Sequence, residues 1–478
     1  MTLARNSIAD LCAIAAMPGI EELAEIIAPY CTRTTDPKSM IIYLAGQWVV
    51  GSRNELTSML RHESTWEEMR TSAARVGRML SIFPPTHDQW RHLRDRAGEG
   101  LGEALANAFI PAMAPLVRMV GLLPQGVTPN LLRPDRANIV YADGSKFKAV
   151  SDVYVDPTTG EVMGSRAGAG GNPRMLTPEV LPGPNGGPPQ IPIATIGVHG
   201  GLRWQRVVLG VDLFMDYREM DASMRLFHKI QSLYGESIHG YIYDMAMSGD
   251  YVQEVMRAGV IPIVAMRGVA PRSPGVTVPC DLRFTLGRSN EPKNRAAIFR
   301  LPNVSHPVGS EECTHAVWAL DGALVTCDAG DLQPSFDAVA LGMPHLAFAD
   351  HPAGDGRQLL ATYRIPCRLG HISFELDLTD YLPNSKKELV PVARYVHPID
   401  PTGNLNELRG KRSDVESSYR TIKAKTKLFG RMLSLSPDHA LADLVGAGLW
   451  INAVAWDVHA AQHTKNGAHL AKALRRSK

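Results

Sequence analysis

Residues 138–148 read NIVYADGSKFK. Ile139 to Ala142 is a short apolar run that ends in an acid, Asp143, followed by Gly144. Such a run predicts a buried strand carrying a carboxylate at its end. From Phe147 to Val155 the residues alternate, with Ala149, Ser151, Val153 and Val155 at spacing two, which predicts a second strand pairing back. Further along, Ile191–Val198 and Gln205–Met215 read as strands and Arg218–Tyr234 as a helix. Ser237–Asp244 is a strand that again ends in an acid, Tyr251–Ala258 a helix, and Val260–Ala265 an almost wholly apolar strand. Helices alternating with apolar strands imply an α/β fold, a mixed sheet covered on both faces. The Gly/Pro-rich stretch Gly164–Pro189 interrupts the order. Its Gly168-Ala169-Gly170-Gly171 lacks the spacing and the Lys-Ser/Thr ending of a phosphate loop and reads as a plain loop.

On the N-terminal side, helix-spaced apolar residues recur at Ile8–Ala16, Ile20–Tyr30, Ser39–Val50 and Leu56–Leu60. Thr65-Trp66-Glu67-Glu68 has capping-box spacing and predicts a helix to Phe83, stopped by Pro84-Pro85. Helices over about Asp88–Ala108 and Pro111–Gly121 complete an all-helical region, residues 1–125. It is a candidate DNA reader of helix-turn-helix type, although no helix in it stands out as basic. Residues 126–267 hold the alternating strands and helices. Residues 268–405 carry short alternating runs, among them Leu282–Leu286, Ala297–Leu301, His315–Leu320, Ala323–Asp328 and Ile372–Leu378, with one short helix expected at Gln358–Tyr363. This part reads as a β-rich insertion. Residues 406–478 return to helix and close with an apolar one from Asp438 to about Gln462 and a basic tail.

The chain of 478 residues exceeds what one core organises. Its 45% hydrophobic and 21% charged residues are those of an ordinary globular protein, and a net charge of +2 excludes a protein that coats nucleic acid with its whole surface. The cysteines, Cys12, Cys31, Cys280, Cys313, Cys327 and Cys367, form no C-x-x-C pair. Cys313 and His315 lack a second pair at zinc spacing, so a zinc knuckle or thioredoxin-type site has no support, and the scatter fits free thiols in a reducing cytoplasm. Asp10 interrupts the only early apolar run, so no signal peptide is expected. Leu444–Trp456 is too short to span a bilayer, contains Asn452, and reads as a buried core helix.

Positive charge is instead local. Arg409–Lys423 reads RGKRSDVESSYRTIK, and Arg409–Arg431 holds eight Lys/Arg against two acids. On a helix, Arg409, Arg412, Glu416 and Lys423 fall within roughly 60° of arc, one carboxylate framed by cations on a single stripe. Asp143, Asp244 and Glu416 are then three acids at comparable places in an α/β order, where sites form. Phosphoryl transfer on two Mg²⁺ ions needs a few carboxylates converging from distant positions.

These residues resemble a family. Asp143-Gly144-Ser145-Lys146 is similar to the first motif of the DDE-type transposases of bacterial insertion sequences. Tyr243-Asp244, with Gly249, Tyr251 and Ala258-Gly259-Val260 after it, resembles the second. One branch carries Tyr, two residues, Arg, three residues, Glu, six residues, Lys. Arg412, Glu416 and Lys423 keep the later spacings, and Arg409 stands where that branch has Tyr. The resemblance covers about Asn138–Ala265 and Gly410–Trp456. It implies a ribonuclease-H-like catalytic domain interrupted by the β-rich insertion. It also implies Asp143, Asp244 and Glu416 as catalytic ligands of two Mg²⁺ (Mn²⁺ able to substitute), and Arg409, Arg412, Lys423, Lys425 and Lys427 as contacts to DNA phosphates. The partners implied are double-stranded DNA, as element ends and target, and a second copy of the chain in a homodimer. The setting expected is the cytoplasm, at the nucleoid and away from membranes. The alternatives are a transposase-derived DNA-binding protein without cutting activity and a metal-dependent nuclease without strand transfer. His459 and His463 share a helical face but lack the intervening Glu of a zinc protease, and no Gly-x-Ser-x-Gly elbow occurs.

Overall fold

A computed structural model of the chain describes residues 7–148, 154–155, 162–163, 190–201, 205–214, 218–244, 247, 249–264, 298–320, 322–328, 339–368, 370–383, 387–396, 408, 423, 432–434 and 437–463. They form a mixed α/β structure in two compact units. The first joins residues 1–125, 140–235 and 413–478, and the second joins 126–139 and 236–412.

Eight helices occupy the N-terminal region: α1 (Ser7–Ala16), α2 (Ile20–Ile27), α3 (Pro37–Val50), α4 (Arg53–Arg61), α5 (Glu63–Ala74), α6 (His87–Ala97), α7 (Leu101–Ala112) and α8 (Ala114–Met119). Local chemistry sets their ends. Asp36 caps α3 by accepting from the amides of Lys38 and Ser39, Pro37 fixes the first turn, and Gly51 closes the helix in the left-handed region. Two expectations need correction. The helix expected from Thr65 to Phe83 starts two residues earlier and ends at Ala74. The Arg78 amide returns to the Ala73 carbonyl over Gly77, at φ 79°, and the Arg78 side chain turns inward to Glu21 and to the carbonyls of Ala15 and Met17. The helix expected over Asp88–Ala108 is two helices. Thr86 and Gln89 make a capping box for α6, and Gly98 and Gly100, both at positive φ, break the chain before α7.

The first unit holds β1 (Ile139–Lys148), β2 (Gln190–His199) and β3 (Arg206–Leu213), in the hydrogen-bonded order β3-β2-β1, and the second holds β4 (Gly240–Ile242) and β5 (Ile261–Ile263). β1 and β2 are antiparallel, with Asp143 opposite Thr195, and β2 and β3 are antiparallel with a bulge at Ile196/Gly197. β4 and β5 are parallel. β1 runs unbroken through Asp143 and Gly144, so Asp143 sits mid-strand and not at a strand end. Phe147 and Lys148 belong to β1 itself, and Tyr154–Val155 pairs with Val162–Met163. α9 (Glu219–Tyr234) packs on β2 and β3.

Toward the C-terminus the first unit contains α11 (Pro437–His463), long and apolar enough by composition to cross a membrane, but mostly buried among α1, α3, α7 and β3. Close approach needs small residues: a Cβ on Gly446 would lie 2.4 Å from the Leu44 carbonyl oxygen. α11 also buries the polar side chains of Asn452 and Asp443, both with partners. The Asn452 amide accepts from the Val208 amide at 2.7 Å and donates to the Val208 carbonyl at 2.9 Å, satisfying β3 next to its bulge. Asp443, 1% exposed, pairs with Arg53 at 3.0 Å. Gln47 reaches the same carboxylate, and the Trp450 indole donates to Asp10.

The second unit holds β4 and β5 with α10 (Asp250–Arg257), a two-stranded ribbon of Tyr381–Pro383 with Leu389–Pro391, and two larger sheets. One contains β6 (Ile298–Arg300), β7 (Val304–Val308), β8 (Glu311–Leu320) and β9 (Ala323–Asp328), with a short strand Val339–Ala340 beyond β9. The other is the antiparallel meander β10 (His345–Asp350), β11 (Arg357–Cys367) and β12 (Gly370–Asp377). Gln358–Tyr363, expected as a short helix, lies within β11, where pairing on both edges overrides local propensity. The Gln253 amide of α10 donates to the carbonyls of Thr379 and Asp380. Leu282–Leu286 lies outside the described residues.

Removing one partner of the Arg53–Asp443 pair strands a buried charge. Arg53→Ala is expected to cost about 3–5 kcal/mol, read from denaturant unfolding, whereas an Arg53→Met/Asp443→Leu double variant recovers most of that loss. Gly446→Ala is expected to destabilise by roughly 1–3 kcal/mol through overpacking against α3, seen as a lower melting temperature.

Candidate active site

Asp143 is 7% exposed at the middle of β1. Strand alternation puts Asp143, Ser145 and Phe147 on one face of β1 and Gly144 on the other. On the first face lies Lys423, in helical backbone. Its ammonium donates to Ser145 Oγ at 2.7 Å and stands 4.9 Å from the centre of the Phe147 ring. Burial pushes the Lys423 ammonium below its usual range, and the Asp143 carboxylate acts against that shift. Residues nearly three hundred positions apart in sequence thus meet over one strand. The Met432 amide donates to the Lys148 carbonyl at the end of β1.

Gly144 is glycine for a local reason. A Cβ there would lie 2.1 Å from the Glu219 carboxyl carbon, so the first turn of α9 lays its carboxylate on the strand opposite Lys423. Sequence reasoning missed Glu219, because nothing in its spacing links it to Gly144. Asp244 follows β4 by two residues and is half-buried, and its carbonyl accepts from the Met247 amide. Asp143 belongs to the first unit and Asp244 to the second. Arg409, Arg412, Glu416, Lys425 and Lys427 lie outside the described residues.

Asp143 offers carboxylate oxygens of the kind Mg²⁺ prefers, and the neighbouring Lys423 charge suits phosphate. Among the described residues, however, no three acids place their oxygens within reach of a single ion. The group that does converge is of another kind: His306, Cys313, His315 and Cys367 bring their ligand atoms within 4.8 Å of one another. Sequence spacing gave no sign of this convergence. The spacing rule looked for pairs adjacent in sequence, whereas strand pairing assembles this group. Comparison with family models and with curated proteins finds no match for the chain.

The depressed Lys423 amine is expected to react with an acylating reagent at mildly alkaline pH faster than surface lysines. Asp143→Asn removes the carboxylate that holds its proton, so it should increase that reactivity further, measured by competitive labelling and mass spectrometry.

Proposed function

We propose that this chain is a DNA transposase of DDE type, which nicks phosphodiesters at element ends by hydrolysis and transfers the freed 3′-OH to target DNA. The observation that carries the reading is the contact of Lys423 with Ser145 beside Asp143. It brings the last residue of one motif against the residues of another. The antiparallel order β3-β2-β1 in one unit and the parallel pair β4–β5 in the other are each in keeping with a ribonuclease-H-like reading.

In this reading Asp143, Asp244 and Glu416 would hold two Mg²⁺, which when bound supply positive charge to the attacking and leaving oxygens. Lys423 grips a phosphate oxygen as a point charge, and the Ser145 hydroxyl and Phe147 ring hold its ammonium in place. Partial burial strengthens that grip, because the charge is less screened than on an open surface. Arg409, Arg412, Lys425 and Lys427 would add phosphate contacts along the DNA. Work on two ends at once favours a homodimer on double-stranded DNA, in the cytoplasm at the nucleoid.

The test uses labelled end DNA with Mg²⁺. Wild type is expected to cleave and join, and Asp143→Asn, Asp244→Asn and Glu416→Gln to bind DNA but lose cleavage. Undiminished cleavage by any of the three removes that residue from the site. Binding without cleavage by wild type favours a transposase-derived binding protein, and cleavage without joining favours a nuclease. Lys423→Ala is expected to weaken DNA binding and to lower the salt slope by about 1, for one lost phosphate contact.

A further inference from the structure

β7 and β8 form a hairpin closed by Gly309, at φ 63°, and Ser310. Its register sets His306 directly across from Cys313. His315 is two residues beyond Cys313, so it projects from the same face of β8. Three donors therefore stand on one patch of one hairpin. The two imidazoles are parallel, with centroids 5.8 Å apart and planes 2° apart. The fourth donor comes from the other sheet: Cys367 is the last residue of β11, where the chain turns toward Gly370.

The separations fit a metal. Cys313 Sγ lies 3.8 Å from Cys367 Sγ and 3.5 Å from His315 Nε2, and Cys367 Sγ lies 3.3 Å from His306 Nε2. With Zn–S near 2.3 Å and Zn–N near 2.0–2.1 Å, a tetrahedral zinc centre has S···S edges of about 3.8 Å and S···N edges of about 3.6 Å. A disulfide between the two sulfurs would need about 2.05 Å. All four residues are half-buried, shielded from bulk water yet reachable by an ion. Two thiolates and two imidazoles are soft and borderline donors, which suit Zn²⁺ and not Mg²⁺.

We propose that His306, Cys313, His315 and Cys367 bind one Zn²⁺ tetrahedrally and that the ion fastens the β7–β8 hairpin to the β10–β12 meander. Four protein ligands leave no open position, so the role is structural and not catalytic. The exposed Arg368–Glu311 pair, at 3.3 Å, spans the same join but is too solvated to hold it alone. The ion would do for this insertion what a disulfide does in an oxidising compartment, fixing two separately formed sheets by a bond that neither makes by itself.

The full-length protein, purified with Zn²⁺ in the buffer and then desalted, is expected to retain one zinc per chain by elemental analysis. Replacing zinc with Co²⁺ is expected to give the visible bands of tetrahedral cobalt with thiolate ligation. Cys367→Ser and His306→Ala should lose the metal, whereas His306→Cys, which keeps a zinc donor at the position, should retain it. Should the loss variants fail to fold, wild type still decides: chelation is expected to expose two additional thiols to alkylation, at Cys313 and Cys367. Desalted wild type without zinc, a full equivalent held by Cys367→Ser, or Cys313 and Cys367 joined in a disulfide in protein kept under reducing conditions would each overturn the proposal.

Discussion

A largely buried apolar helix must find partners for the polar groups it carries inward, and α11 does so at three points. Asn452 completes the hydrogen bonding of β3 at Val208, Asp443 neutralises Arg53, and the Trp450 indole donates to Asp10. Each contact ties the end of the chain to a different earlier element, the sheet in the first case and N-terminal helices in the others. Because a buried donor or acceptor left unpaired costs more than its bond gains, the three together leave little freedom in how α11 can lie. The first unit is assembled around that constraint, with Gly446 letting α3 come close.

The same unit sets the surroundings of Asp143. β1 is held in register by β2, so the faces of Asp143 and Gly144 are fixed oppositely. One face receives the ammonium of Lys423, the other the carboxylate of Glu219. A strand with an acid and a cation on one side and a second acid on the other is costly to build for stability alone. That arrangement, in a chain whose positive charge is otherwise concentrated after Arg409, is what gives the phosphate-handling reading its weight.

Much of the secondary structure was legible from periodicity. Apolar spacing located α1, α3, β2, α9, α10 and α11 to within a few residues, because each has one buried face or is buried throughout. The misreadings share a cause. Gly98, Gly100 and Gly77 end helices by backbone geometry that apolar spacing does not register, and Gln358–Tyr363 became strand because two neighbours pair with it. The strand expected to end at Asp143 continues through Gly144, whose lack of a side chain accommodates Glu219.

By itself, the sequence determined the α/β character, the local basic stretch and the candidate residues Asp143 and Lys423, since these depend on residue type and short-range spacing. Only the tertiary structure decided that Lys423 rests on Ser145 and that His306, Cys313, His315 and Cys367 converge. The reason is physical. Strand register and the packing of separate elements set distances between residues far apart in the chain, and neither leaves a fixed interval in the sequence for a motif to record.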